Sequence, residues 1–479
     1  MKRIGIVIAG GLTILGLGGC AVYQPLALVE SPKLVASVDQ LETRVDGTAF
    51  QELPASWKRY AINVADGLDE TETVLLALLN SPQLDAARSQ MAEARASLYA
   101  AGLLPDPQVS AGLDFPRGNN PALQAGASFG LGIDLQQIIT RGARRDAATA
   151  QAEATYLNVL WQEWQVIQQA RILWRRAFIQ KQQLAILEDQ LQQATSTWKG
   201  IHDAMAQGNA TLDQDGLALA PMMDAEVAVQ ESKRLLNGTK HGIHLLLDVD
   251  PAVPVLLSGV VNMESLISRQ ADSDLLQLAL KSIAQHRPDL LALQAGYRSQ
   301  ENRVREQILM QFPSFSIGAN SLRDTAGLWT LGPFINLSLP LFDANRGNVA
   351  MARATRERLH EEYRSQLISA SVEASKIIHD QQLARSEWQA LTARLPQLAE
   401  TVDRMAHALS SGQIDMLTFT TLRTAYFSQQ ARVLGLEQVL LEQAVALDTL
   451  TGLLLSDRAA SAASESSSLH LQATQELHP

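Results

Sequence analysis

The stretch that decides the fold is Ala143 to Gln207, ARRDAATAQAEATYLNVLWQEWQVIQQARILWRRAFIQKQQLAILEDQLQQATSTWKGIHDAMAQ. It holds no proline, and its one glycine is Gly200. Leu157, Leu160, Trp164, Ile167, Trp174 and Phe178 recur three or four apart with one turn skipped. Leu184, Leu187, Leu191, Ala194, Trp198, Ile201 and Met205 then continue the stripe in strict alternation. This spacing keeps apolar side chains on one seam of a helix. At a rise of about 1.5 Å per residue the helix spans on the order of 100 Å, several times an ordinary globular helix. No compact core is that wide, so the helix is expected to lie against others as in a coiled coil.

Composition points the same way. Ala, Leu, Gln, Glu and Arg dominate the 479 residues and aromatics are only 5%, as in long helices. A net charge of -11 excludes the basic surface that nucleic-acid binding needs and reads first as solubility. The single cysteine, Cys20, rules out an intrachain disulfide. Lys2 and Arg3 precede an apolar run from Ile4 to Leu17, broken only by glycines and Thr13, and then Leu17-Gly18-Gly19-Cys20. This is the pattern of a secretory signal with small residues before the cleavage point. Leu-Gly-Gly-Cys also resembles a bacterial lipoprotein box, which implies a lipidated Cys20 as first mature residue, carrying acyl chains such as palmitate. Ala21 after it implies sorting to the outer membrane. Removing residues 1–19 takes away Lys2 and Arg3 and no acidic residue, leaving a mature charge of -13. No later segment supplies the roughly 18 apolar residues of a membrane helix, so the chain is held by lipid alone or spans as strands.

Outward from the long helix, residues 20–68 contain Pro25, Pro32 and Pro54 without sustained periodicity and read as an extended arm. Thr71–Asn80 reads as a short amphipathic helix. Ser81-Pro82 restarts the helix, serine as cap and proline at the first position, and Pro105 and Pro107 stop it. Two stretches of period two follow, about 108–115 and 127–135. Val109, Ala111, Leu113 and Phe115, then Phe129, Leu131, Ile133 and Leu135, alternate with polar or glycine residues. These read as strands with one apolar and one polar face, joined by a Gly-, Asn- and Pro-rich loop, Pro116 to Gly126. The long helix, about 143–207, turns at Gly208-Asn209, and a second helix returns from Leu212 to Leu247.

The second half repeats the first. Pro288-Asp289-Leu290 answers Pro82-Gln83-Leu84, Pro313 answers Pro105, Arg346-Gly347 answers Arg141-Gly142, and Gly412 answers Gly208. The three successive intervals between these marks are 23, 37 and 66 residues in the first half and 25, 34 and 65 in the second. The strands of the second half fall at about 314–320 and 333–341 and its long helix at about 347–411. Pro396 in that helix is expected to kink it. The repeats run 69–254 and 255–455, and the Ser-, Ala- and Gln-rich tail 456–479 reads as disordered.

Four amphipathic strands cannot close a membrane barrel, which needs at least about eight, and open edges cannot sit in lipid. Spanning therefore requires oligomerisation, and three chains would bring twelve strands. Polar-face residues such as Gly112, Asp114, Asp134, Asn336 and Ser338 would line a water-filled lumen. Leu78-Leu79-Asn80-Ser81-Pro82-Gln83-Leu84, Ser338-Leu339-Pro340-Leu341-Phe342-Asp343 and Gly412-Gln413-Ile414-Asp415-Met416-Leu417, in this order on a duplicated frame, resemble the TolC-like outer membrane factor family over about residues 70–455. The resemblance implies a mainly α fold with membrane β: as a homotrimer, a 12-stranded outer membrane β-barrel on a long periplasmic α-helical barrel. It implies a passive efflux duct of a Gram-negative outer membrane, working with a periplasmic adaptor and an inner-membrane pump.

In that family the helix-turn tips dock the adaptor and constrict the pore, which here singles out Gly208, Leu212, Gly412 and Leu417 for docking. Asp213, Asp215 and Asp415 are the candidates for a constriction ring, since three copies of a carboxylate around a narrow axis repel one another and favour bound cations or protons. Asp at a helix start is equally an ordinary response to the helix dipole. Many relatives carry Asp further into the second tip, where this chain has Thr420-Thr421. No catalytic site or cofactor is expected. His241 and His244 are three apart but have no third metal ligand in view, and the glycines of 126–132 sit on a strand rather than before a helix, unlike a phosphate loop. The rival reading is a lipid-anchored coiled-coil scaffold without a pore. Cargo is open; the acidic balance and Arg-Gly-Ala-Arg-Arg at 141–145 lean faintly towards the heavy-metal branch of the family.

Overall fold

A computed structural model describes residues 23–31, 34–41, 62–117, 124–259 and 281–452. The signal with Cys20, residues 42–61 of the arm and the tail 456–479 lie outside the described residues. The elements follow in the order α1 (Glu70–Asn80), α2 (Pro82–Gly102), β1 (Gln108–Asp114), β2 (Gly126–Asp134), α3 (Leu135–Ala206), α4 (Leu212–Leu247), α5 (Ile283–His286), α6 (Pro288–Leu309), β3 (Ser314–Arg323), β4 (Trp329–Ser338), α7 (Arg346–Ser410) and α8 (Met416–Thr451).

Local chemistry sets most boundaries. Asp69 and Glu72 form a capping box at the start of α1, and Pro82 and Pro288 open α2 and α6, where a missing N–H is harmless. Three boundaries differ from the sequence reading. The long helix begins at Leu135, directly after β2, rather than near residue 143. Asp134 is the reason: its carboxylate accepts the Gln136 N–H at 2.9 Å and caps the helix. Arg141 and Gly142 therefore lie inside α3, where Arg141 Nε donates to the Gly102 carbonyl at 2.7 Å. Strand β3 extends to Arg323, and β4 covers Trp329–Ser338 rather than 333–341. The shift follows from the tight connection 324–328, in which Asp324 accepts the N–H groups of Ala326 and Leu328. Proline in an edge strand is tolerated, so Pro333 lies within β4 rather than at its start. Helix α7 continues through Pro396 without interruption.

The four strands form one antiparallel sheet in the order β1-β2-β3-β4. Helix α3 is the spine beneath it. Its half nearer the sheet packs between α2 and α6, with Ser299 of α6 donating to the Ala147 carbonyl. Its far half packs between α4 and α8, with Ile179 against Leu434 and Leu441. Helix α7 lies beyond α6 and α8, so the helical layer runs from α2 and α4, through α3, then α6 and α8, to α7.

The largest core sits midway along α3, where α1, the start of α2, α3 and α4 bury Leu75, Leu76, Leu84, Trp164, Ile167, Ile243 and Leu247. A partly buried ion cluster flanks it. Arg171 and Arg175 both pair with Glu70, at 2.9 and 2.7 Å, and Arg171 also reaches Asp448 of α8 at 2.9 Å. Burial pulls the Arg175 guanidinium below its ordinary value against the attraction of Glu70.

Candidate functional site

The strand register sorts the sheet into two faces. Val109, Leu131, Ala319 and Pro333 stand in line across it, as do Phe129 beside Ala111 and Ile317 beside Ile133 and Ile335. Side chains alternate along each strand, so these fall on one face, with Leu113, Leu331 and Leu337. Ser110, Gly112, Ser128, Gly130, Gly132, Ser316, Gly318, Asn320 and Asn336 fall on the other. Leu322 is one apolar exception on the polar face, and Phe334 is another. Its ring covers Gly132 and Gly318, where a Cβ would stand 3.1 and 2.6 Å from the ring's Cζ. The apolar face is not covered within the protomer: Leu113, Leu331, Ile335 and Leu337 are all exposed.

Both ends of the sheet are open. Among the described residues β1 pairs only with β2, and β4 only with β3. The helical layer ends on the same two sides. Strand β1 follows α2, and β4 leads into α7. Of the 65 residues of α7 only Val349, Ala352, Ala370, Ala374 and Gln381 are buried, leaving Ile368, Val372 and Leu383 exposed. On the far side, Met223, Val227 and Leu235 of α4 are exposed. No helix among the described residues is long and apolar enough to cross a membrane.

At the end of the helices away from the sheet, the turns after α3 and α7 are built alike. Gly208 and Gly412 have φ of +78° and +69°, the left-handed region that glycine enters without strain. Each turn closes with the same bond pair: Asn209 N–H to Ala204 O and Gly208 N–H to Met205 O, answered by Gln413 N–H to Ala408 O and Gly412 N–H to Leu409 O. This is the Schellman end of a helix. The next helix is capped by Thr211 in the first tip and by Asp415 in the second. Leu212 and Leu417 stand exposed beside the turns.

The three acidic candidates differ in setting. Asp415 accepts the backbone N–H and hydroxyl of Thr418 at 2.8 and 2.9 Å, and the backbone bond leads in holding its carboxyl below the usual range. Asp213 is exposed, and its hydrogen bond with the Thr211 side chain lowers it likewise. Asp215 instead turns into the hairpin, where its Oδ1 lies 3.0 Å from Nδ1 of His202 on α3. With the two glycines aligned, the position answering Asp215 is Phe419, and that answering His202 is Ala406. Phe419 is buried, and Arg423 lies over the rings of Phe419 and Phe427. Burial lowers the Arg423 guanidinium, and Asp189 on α3 pulls the other way. The sequence reading singled out neither His202 nor Arg423. Aligning the two tips by their glycines would have exposed the exchange of Asp215 for Phe419.

His241 and His244 do not form a metal site. Both nitrogens of the His244 ring lie 2.7 Å from carbonyl oxygens, those of Lys240 and Val253. Among the described residues no group of three or more His, Cys, Asp or Glu is placed to hold a metal.

A family model described as outer membrane efflux protein matches residues 279–453. Among curated proteins, the cobalt-zinc-cadmium resistance protein CzcC of Cupriavidus metallidurans is 22% identical over 252 residues, covering 52% of this chain and 58% of that relative. The aligned region thus spans less than two thirds of that relative. Among solved structures, CusC, studied for its folding and transmembrane channel formation, superposes with a TM-score of 0.67 at 18% identity, over 84% of this chain and 96% of that one. The CmeC outer membrane channel of Campylobacter jejuni gives a TM-score of 0.67 at 16% identity, over 90% of this chain and 95% of that one. The fold is the one these channel structures share.

Proposed function

We propose that this chain, a TolC-like outer membrane efflux protein, works as a homotrimer: the passive exit duct of a tripartite export system. The observation that carries this reading is the pair of open edges. A sheet whose apolar face is uncovered and whose β1 and β4 edges are unpaired among the described residues cannot sit in lipid as one copy. Joining β4 of one copy to β1 of the next closes a ring, and three copies give twelve strands, above the minimum of about eight. The same rotation sets the bare face of α7 against α2 and α4 of the neighbour. The apolar sheet face then meets lipid, and the serines, glycines and asparagines face water.

The helices extend into the periplasm as a tunnel built from repeats 69–254 and 255–455, and Cys20 is lipidated in the outer membrane. The tips close the far end. Gly208, Leu212, Gly412 and Leu417 form the surface on which a periplasmic adaptor's helical hairpins dock. Asp213 and Asp415 are the constriction candidates, and Asp215 shapes the first tip through His202. Adaptor binding spreads the tips, and an inner-membrane pump supplies the energy. The name of the metal-resistance relative makes heavy-metal ions the first cargo to test: loss of the chain should sensitise cells to divalent metals. The reading itself is tested by the mass of the detergent-extracted protein, corrected for bound detergent. A trimer that conducts ions in a planar bilayer is expected; a stable monomer refutes it and favours the scaffold.

A further inference from the structure

We infer that the seam between copies carries a metal site that no single chain completes: His241 of α4 and His379 of α7 in the next copy share one late first-row divalent ion. The inference rests on the trimer reading above and adds a site to it. His241 lies 33 residues beyond the turn glycine Gly208, and His379 lies 33 residues before Gly412. At about 1.5 Å per residue, each stands about 50 Å from its tip. The two tips are level. Arg176, 32 residues before Gly208, pairs at 2.8 Å with Glu442, 30 beyond Gly412. Arg171, 37 before, pairs at 2.9 Å with Asp448, 36 beyond. A three-fold axis along the helices preserves these heights from copy to copy.

Both histidines stand on the sides that the protomer leaves bare. Leu236, Thr239 and Ile243 are the buried line of α4. His241 is two residues from Thr239, or roughly 200° round the helix, and is exposed like Leu245. Ala370, Ala374 and Gln381 are the buried line of α7. His379 is likewise two residues from Gln381 and is exposed with Val372 and Leu383. These are the faces of α4 and α7 that ring closure sets together.

The duplication supplies a template for how they meet. The α3–α8 seam joins the long helix of the first repeat to the return helix of the second; the seam between copies joins α7, the long helix of the second, to α4, the return helix of the first. With the turn glycines aligned, His379 answers Arg175 and His241 answers Val445. Arg175 Nη1 reaches the Leu441 carbonyl, and Arg171, one turn away, reaches Asp448. Arg175 is thus seated over 441–448, in the middle of which Val445 is fully buried. Transposed, His379 is seated over 237–244, with His241 in the middle. His244 is engaged by two carbonyls. Asn237 donates to His241 Nε2 at 3.3 Å, so that nitrogen carries the lone pair a metal needs. Packed helices have axes about 8–10 Å apart, a span that two imidazoles bridge through an ion about 2.0–2.1 Å from each nitrogen. Imidazole suits zinc, copper and nickel, and water fills the remaining positions.

The test uses the full-length protein, with its mass measured first. A chain carrying both His241→Cys and His379→Cys, treated with a short bis-maleimide, should run as covalently linked chains, whereas neither single variant should link. Zn2+ alone is the metal probe. Equilibrium dialysis of the parent should find one ion per chain that His241→Ala and His379→Ala each remove, with the trimer mass unchanged. Asn237→Ala, which only frees His241 Nε2, should retain it. Zn2+ binding that either histidine variant leaves intact, or a trimer whose cysteine pair does not link, overturns the site while the channel reading stands. A parent of monomer mass removes the channel reading and the site together.

Discussion

Leu131→Arg separates a membrane-spanning sheet from a soluble one. Leu131 is the sixth residue of the nine-residue strand β2, paired with Val109 on one side and Ala319 on the other, on the apolar face. That places it near mid-depth if the sheet spans. An arginine facing lipid at mid-depth is unfavourable by about 2–4 kcal/mol, or roughly 30- to 900-fold in the insertion equilibrium of each chain, and the closed ring meets it three times. Leu337 lies on the same face but one residue from the end of β4. There the same substitution should cost about 0–1 kcal/mol. Ser128→Arg, on the polar face, should be tolerated as a lumen charge. The assay is the fraction of protein recovered from outer membranes as assembled trimer after mild detergent extraction. The expected order is Leu131→Arg far below Leu337→Arg, with Ser128→Arg near the parent. Normal assembly of Leu131→Arg would refute the spanning sheet and leave the lipid-anchored scaffold.

Three further outcomes follow from the packing. Val372→Glu, on the bare face of α7, should split the trimer into helical monomers on sedimentation, since each buried valine contributes about 1.5–3 kcal/mol; an intact trimer would remove α7 from the interface. Gly318→Ala would set a Cβ 2.2 Å from the Leu131 carbonyl oxygen and 2.6 Å from the Phe334 ring. Overpacking of that kind costs about 1–3 kcal/mol, so assembled yield should fall, whereas Gly332→Ala, with open space around it, should assemble normally. Burial raises the Glu437 carboxyl above its usual range, against the Trp388 hydrogen bond. A raised value in the fold means that the folded chain holds this proton more readily than the unfolded one. The group therefore favours folding at low pH, and that contribution is lost as pH rises through the raised value. Glu437→Gln keeps an oxygen for Trp388. It should raise the Tm at about pH 7–8 and leave it unchanged near pH 4.

The long helices and the sheet were legible because each depends on a period that one sequence displays. The stripe from Leu157 to Met205 and the alternation from Val109 to Phe115 are local patterns, and the repeat intervals fixed their order. Boundaries were less legible where one side chain decides them: the Asp134 cap moved the start of α3, and the Asp324 turn moved β4. The tips were half legible. Gly208 and Gly412 stand out as punctuation, but Asp213, Asp215 and Asp415 look alike in sequence. Their settings separate only when Asp215 is seen to face His202 across the hairpin, a contact between residues 13 apart that no periodicity reports. The Arg171, Arg175 and Glu70 cluster was missed for a similar reason, since Glu70 meets Arg171 only after 101 residues of chain.

The duplication explains where the two halves can differ. In the trimer proposed above, three copies of two repeats would place six near-equivalent units around one axis. The wall must close on itself, so the spacing of helices and strands is held alike in both halves. At the sheet end the constraint loosens: β2 runs directly into α3, but β4 reaches α7 through 339–345, with Ala344 and Asn345 at φ of +47° and +54°. At the tips only the turn is kept: His202 and Asp215 tie the first hairpin across, whereas in the second Arg423 lies over Phe419 of its own helix.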